Sequence, residues 1–345
     1  MKKIRRYFLS IGVFVILFFA TFLYIFKQYS FQEFLNTIAS CNKGYILCAF
    51  FMLLIYLAFG SQFMKKLFQA FGINISFFQS LCYNCIEIYF SAVTPSSTGG
   101  QPVEAYYMSK DSIPYRKSTV VILLNTILYK SAIVILGIIG MLLFPKLIFQ
   151  NGWLFTTLML GGLLINIFVI FFFSCLIYSK NLPPKILNAG INLLSFLHLL
   201  TKEQKAKKQA EIENVMKDYH ACAEFTKSHP EVIGKSFLLI LLQRISLFLI
   251  SIFIYKSFGL SDYNLLAIFF LQVAITQATD CVPFPGGVMA GESLTFQINN
   301  LIYGSSLACS SMLLLRGIGF YILVLISSIL FVIYHFKTLR KKSSI

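Results

Sequence analysis

Seven ionisable residues stand inside otherwise apolar runs: Glu87, Glu104, Lys130, Arg244, Asp280, Glu292 and Arg316. In lipid each costs roughly 2.5–3.5 kcal/mol at a helix centre, so such residues pair with one another or face a watery cavity. Four acids against three bases suit a polar pathway with internal ion pairs. They also suit a head group that carries both a phosphate and a cation. Arg244 and Arg316 could meet phosphate, and Glu104 and Glu292 could meet an ammonium. Purely structural ion pairing is the alternative for each of them. Glu292 and Arg316 are the strongest candidates for function.

Two breaks accompany these charges. The first reads Thr94-Pro95-Ser96-Ser97-Thr98-Gly99-Gly100-Gln101-Pro102-Val103-Glu104. The second reads Asp280-Cys281-Val282-Pro283-Phe284-Pro285-Gly286-Gly287-Val288-Met289-Ala290-Gly291-Glu292. Each has Pro, then a Gly-Gly pair, then a Glu. Unpaired backbone at membrane depth survives only where protein or a watery cavity covers it. Pro102 fits the first turn of a half-helix, where no N–H is needed. The N–H groups of that half-helix, and of the one after Gly286 and Gly287, would point at the break and attract anions. The hydroxyls of Thr94, Ser96, Ser97 and Thr98 and the amide of Gln101 add donors. A tight turn with close helix packing is an equally good and compatible reason for Gly99, Gly100, Gly286 and Gly287. With Glu104, Arg244, Asp280, Pro285, Glu292 and Arg316, these residues form the candidate substrate site.

The elements that must position them follow from composition. Of 345 residues, 57% are hydrophobic and 12% charged, with 37 Phe; mean hydropathy is +0.77. An ordinary soluble domain carries ~25% charge. A soluble enzyme, a disordered chain and a nucleic-acid binder are thereby excluded, the last despite a net charge of +16. The expectation is an all-α polytopic membrane protein in which ~20 apolar residues make a span. Full spans are expected at Tyr7–Phe26, Gly44–Met64, Ser118–Phe144, Trp153–Tyr178, Lys235–Tyr255 and Ser306–Tyr334. The first resembles a signal peptide but has no small-residue cleavage pattern, so it reads as a retained span.

The basic residues set the topology. Of 29 Lys and Arg, 22 fall at the N-terminus, Lys65–Lys66, Lys110–Lys117, Lys180–Lys235 and Lys337–Lys342. Four (Lys27, Lys43, Lys146 and Lys256) fall on the other side. Both termini are expected in the cytoplasm. The segment around the first break must then enter and leave from the cytoplasm, and the one around the second from outside. Each is a re-entrant helical hairpin; a single kinked full span is the other geometry, and would change the topology. With hairpins the order repeats upside down, a first repeat at about 44–144 and a second at about 235–336. Inverted repeats with broken helices near the midplane mark transporters.

The rest is plainer. Residues 179–234 form a cytoplasmic connector. Leu182–Leu200 suits a helix lying on the membrane surface, and Lys202–Lys227 a charged helix opened by the capping pair Thr201 and Gln204. Eight cysteines include Cys82-x-x-Cys85, but there is no second pair and no histidine nearby in sequence. Packing accounts for the membrane cysteines, and no redox site, metal or cofactor is called for.

The first break, together with Pro283-Phe284-Pro285-Gly286-Gly287, Glu292 and Leu315-Arg316, resembles the lysylphosphatidylglycerol synthase transmembrane (flippase-like) family over nearly the whole chain. Val288–Met289 departs from the small residues usual after the second Gly-Gly. The resemblance implies a bacterial or archaeal plasma membrane and a phospholipid, anionic or aminoacylated, as the bound partner. In bifunctional members a cytoplasmic acyltransferase domain joins lysine from lysyl-tRNA to phosphatidylglycerol. The membrane domain is taken to move the product outward, which protects against cationic peptides. The connector of about 56 residues is short for such a domain against typical sizes of ~100–150. Lipid translocation is therefore the expected function. Lysyl transfer, or partnership with a separate synthase or glycosyltransferase, are the alternatives, and a solute or ion transporter also fits the repeat.

Overall fold

The computed structural model describes residues 31–94, 99–179, 226–282 and 287–343, with a few scattered positions between 184 and 224. The expected first span and the charged connector helix lie outside the described residues. Among the described residues every regular element is helical. In chain order they are α1 Phe31–Ser40, α2 Lys43–Ala70, α3 Phe77–Val93, α4 Gly100–Lys110, α5 Tyr115–Leu143, α6 Pro145–Phe149, α7 Trp153–Tyr178, α8 Pro230–Ser257, α9 Leu265–Asp280, α10 Ala290–Tyr303, α11 Ser305–Arg316 and α12 Leu323–Ser343. A π-helical turn, Gly317–Ile322, joins the last two.

Among the described residues five helical stretches are long and apolar enough to cross a membrane: α2, α5, α7, α8 and the composite Ser305–Thr338. They match five of the six expected full spans. The last of these, expected at Ser306–Tyr334, contains the π turn. Its sequence there, Gly-Ile-Gly-Phe-Tyr-Ile, carries two glycines, which hold a regular helix least well.

Local signals start the helices. Asn42, Ser76 and Asn264 cap α2, α3 and α9, their side chains accepting from the backbone N–H of Gly44 (2.9 Å), Gln79 (3.1 Å) and Leu266 (2.8 Å). Helix α4 begins at Gly100, two residues before the expected start at Pro102, which still lies in its first turn.

The spans α2 and α8 run antiparallel. The Asn42 N–H at the start of α2 donates to the Ser257 carbonyl at the end of α8 (2.8 Å). Midway, Gly60 leaves room for the Gln243 and Asn84 amides, which a Cβ would strike. Helices α3 and α4 form a hairpin: the Tyr83 hydroxyl near the start of α3 donates to the Asp111 carboxylate just after α4 (2.6 Å). Tyr334 of α12 donates to the same carboxylate. At this end Lys117 Nζ donates to the Phe71 carbonyl (2.8 Å), and Lys337 Nζ lies 5.4 Å from the Phe78 ring centroid. So the first hairpin opens where α2 finishes, among basic residues.

Helices α9 and α10 form the second hairpin. The Tyr263 hydroxyl before α9 donates to the Leu301 carbonyl near the end of α10 (3.0 Å), and the Tyr263 N–H donates to the Tyr255 hydroxyl of α8 (3.0 Å). This hairpin opens where α8 finishes, which is where α2 begins. The two hairpins therefore enter the molecule from opposite ends, and Gln101 and Gly287, which flank their breaks, line one interior space. Helix α7 packs on α5 and α9. At Gly162 its backbone approaches the Gln277 carbonyl so closely that no Cβ would fit.

Candidate functional site

Between the hairpins lies a cavity of about 600 Å³, within the ~300–1,000 Å³ usual for ligand sites. The first hairpin contributes Glu87, Ser91 and Gln101 to its wall, and the second Thr279, Asp280, Gly287 and Thr295. The spans supply Tyr56, Tyr129, Lys130, Arg244 and Arg316. Five of the seven intramembrane charges thus border one space; Glu104 and Glu292 stand behind its wall.

The charges are arranged in three ways. Lys130 Nζ and Asp280 Oδ2 form an ion pair at 2.9 Å, and the Asn166 amide of α7 donates to the same oxygen (3.1 Å). Arg316 Nε donates to Glu292 Oε1 at 2.9 Å. The Tyr321 hydroxyl, inside the π turn, donates to that oxygen too (2.9 Å). Gly291 lies against the Arg316 guanidinium, where a Cβ would stand 3.2 Å from it. The Arg316 guanidinium carbon is also 4.3 Å from the Phe320 ring centroid.

Arg244 differs. Among the described residues it meets no carboxylate at salt-bridge distance. Its guanidinium carbon lies 4.1 Å from the Tyr129 ring centroid and 5.0 Å from that of Tyr56. Nη2 donates to the Tyr56 hydroxyl (3.1 Å) and Gln243 Oε1 (3.3 Å), while Nε is buried without a partner. Two ring faces stabilise the cation and hold its plane. Glu87 acts on it electrostatically and accepts a hydrogen bond from Ser91 (3.1 Å).

The remaining candidates divide by what their polar groups do. Gln101 Nε2 donates to the Thr126 hydroxyl of α5 (2.6 Å) at the cavity wall. The Thr94 hydroxyl is occupied by the turn itself: it donates to the Phe90 carbonyl (2.6 Å) and accepts from the Gly99 N–H (2.9 Å). Gly99 caps α4. Gly100 presses onto the Glu87 carbonyl, leaving no space for a side chain. Gly287 has φ +64°, which favours glycine, and Met289 nearby adopts φ +69° without that advantage. Ser96, Ser97, Thr98, Pro285 and Gly286 lie outside the described residues.

Sequence reasoning left out the uncharged half of this site. Tyr56 and Tyr129 are two aromatics among many, with no local signal of their partner. Asn166, Gln243 and Gln277 were detectable as amides within apolar runs, where an unpaired polar group is expensive. Lys130 and Glu87 were recognised as intramembrane charges, though outside the candidate substrate set.

A helical bundle with several apolar spans, two opposed broken hairpins and a charged cavity between them defines a multi-pass membrane protein with an internal polar site. Its sequence matches the family model for the lysylphosphatidylglycerol synthase TM region across residues 7–327. The chain belongs to that family. No curated protein matches it.

Proposed function

We propose that this domain translocates an anionic or aminoacylated phospholipid, or another lipid-linked head group, between the leaflets of a bacterial or archaeal plasma membrane. The observation that carries this reading is Arg244. It is a cation in the cavity, clamped by two tyrosine rings and paired with no carboxylate among the described residues. Lys130 and Arg316 already have carboxylate partners, so Arg244 is the group most available to a phosphate. Asp280 and Glu87 would face the cationic part of an aminoacylated head group. The acyl tails would remain in the bilayer.

The two inverted units, about 44–144 and 235–336, would rock against each other and expose the cavity to one leaflet at a time. The end that carries Lys110, Lys117 and Lys337 would face the cytoplasm. A synthase or glycosyltransferase would supply the lipid.

The test is leaflet exchange of fluorescent phosphatidylglycerol and its lysyl derivative in vesicles reconstituted with the full chain. Exchange should exceed that of empty vesicles. Arg244→Ala should slow it by roughly ten- to a hundredfold, the loss of one or two hydrogen bonds to a charged group. Equal rates with and without protein, across both lipids, would refute the reading.

A further inference from the structure

Glu104 has no place in the mechanism above, yet it is the more deeply buried of the first hairpin's two glutamates. It is 0% exposed. Neither carboxyl oxygen has a hydrogen-bond partner among the described residues. An ionised carboxylate in that position would be an uncompensated charge in low dielectric, far costlier than the neutral acid. The elements packed against α4 confirm how little faces it. From α3 the charged neighbour is Glu87, which acts on it with like sign. The charged residue on the inner part of α5 is Lys130, already bound to Asp280. From α12 the titratable groups are Tyr334 and His335 at the hairpin's open end. Tyr334 is engaged with Asp111, and His335 Nδ1 is 2.5 Å from the Tyr107 hydroxyl. Glu87, unlike Glu104, borders the cavity, and it feels both Arg244 and Lys130. The two acids are tied together mechanically, since Gly100, one turn before Glu104, rests on the Glu87 backbone carbonyl.

We propose that Glu104 is a proton-binding site, and that the protein couples lipid translocation to proton movement through Glu104 and Glu87. This rests on the translocation reading and names its driving ion. In the state described here Glu104 holds one proton on its carboxyl. When α4 shifts against α3 and α5, the carboxyl reaches the cavity, where Arg244 and Lys130 stabilise its anion. The proton then leaves as H⁺ to water on the side to which the cavity is open. Rebinding from the opposite side restores the neutral acid and permits the return. The Glu104 anion and the lipid phosphate thus both draw on Arg244, so occupancy by one is linked to release of the other.

The test uses the full chain in vesicles of phosphatidylethanolamine and phosphatidylglycerol, with a pH-sensitive dye inside and the membrane potential clamped. For one proton per lipid, one unit of imposed pH gradient should shift the leaflet ratio of fluorescent phosphatidylglycerol by about tenfold. A matching change in lumenal pH should accompany it. Glu104→Gln should abolish both the gradient response and the proton flux, and Glu104→Asp should retain them in part. Infrared difference spectra of the purified protein give a readout independent of transport. A protonated carboxylic acid C=O band at neutral pH should be present in the natural chain and missing in Glu104→Gln. Lipid exchange that ignores the gradient and moves no protons would overturn the coupling and leave translocation standing. An intact acid band and proton flux without lipid exchange would instead refute translocation and keep the proton site. Absence of the acid band overturns the assignment of Glu104 whatever the vesicles show.

Discussion

In the second hairpin both acids meet a base from a neighbouring span. Asp280 receives Lys130 and the Asn166 amide, and Glu292 receives Arg316 and Tyr321. In the first hairpin neither acid does among the described residues. Glu87 has the Ser91 hydroxyl, and Glu104 has no partner among the described residues. Burial alone does not explain the contrast, because Glu104 and Glu292 are both almost wholly enclosed, at 0% and 4% exposure. What separates them is the supply of counter-charge. The second hairpin is electrostatically closed and holds its shape through ion pairs. The first is open-ended, its acids having no base at salt-bridge distance among the described residues.

Substitutions can break that comparison. The largest effect is expected at Arg316→Ala. Removing one partner of an enclosed pair leaves Glu292 uncompensated, at a cost of about 3–5 kcal/mol, and lipid exchange should be lost. Thermal unfolding in detergent measures the first and vesicle assays the second. Pairing Arg316→Met with Glu292→Leu should recover most of the stability and none of the exchange. If exchange returns as well, the pair is only structural. An intermediate effect is expected at Lys130→Met. This ion pair is partly open to the cavity, with side chains 17% and 21% exposed, and Asp280 keeps Asn166, so about 1–2 kcal/mol is expected. The smallest is Glu104→Gln. It removes no partner among the described residues and should alter stability by less than about 1 kcal/mol. A loss as large as that of Arg316→Ala would mean that Glu104 has a counter-charge, and the contrast between the hairpins would collapse.

The hairpins were legible in the sequence because Pro and Gly interrupt apolar runs, the first bracketed by lysines and the second set between an outer loop and a span that must run inward. Charge placement also gave their opposite entry, now visible in the Tyr83–Asp111 and Tyr263–Leu301 contacts at opposite ends. The partners were not legible. Lys130 and Asp280 are 150 residues apart, and seven charges allow many pairings that only the packed spans decide. Arg244 stood out in the sequence as an intramembrane charge, but its tyrosine clamp depends on how α2, α5 and α8 meet. That meeting is set by small residues such as Gly60, whose value shows only when the neighbour is known. The two local bonds of the Thr94 hydroxyl, to the Phe90 carbonyl and from the Gly99 N–H, were not legible either, because they form only once α3 and α4 are placed.

The π turn at Gly317–Ile322 has a consequence for how one helix serves two masters. Before it, the direction of Arg316 is dictated by Glu292 in the hairpin. After it, Leu325, Ile329, Val332 and Phe336 are exposed at helical spacing, the stripe that a bilayer selects. A regular helix turns about 100° per residue, so fixing one face fixes the other. The wide turn breaks that bond of phase. Arg316 can be aimed by an ion pair while the outer stripe keeps the angle demanded by lipid.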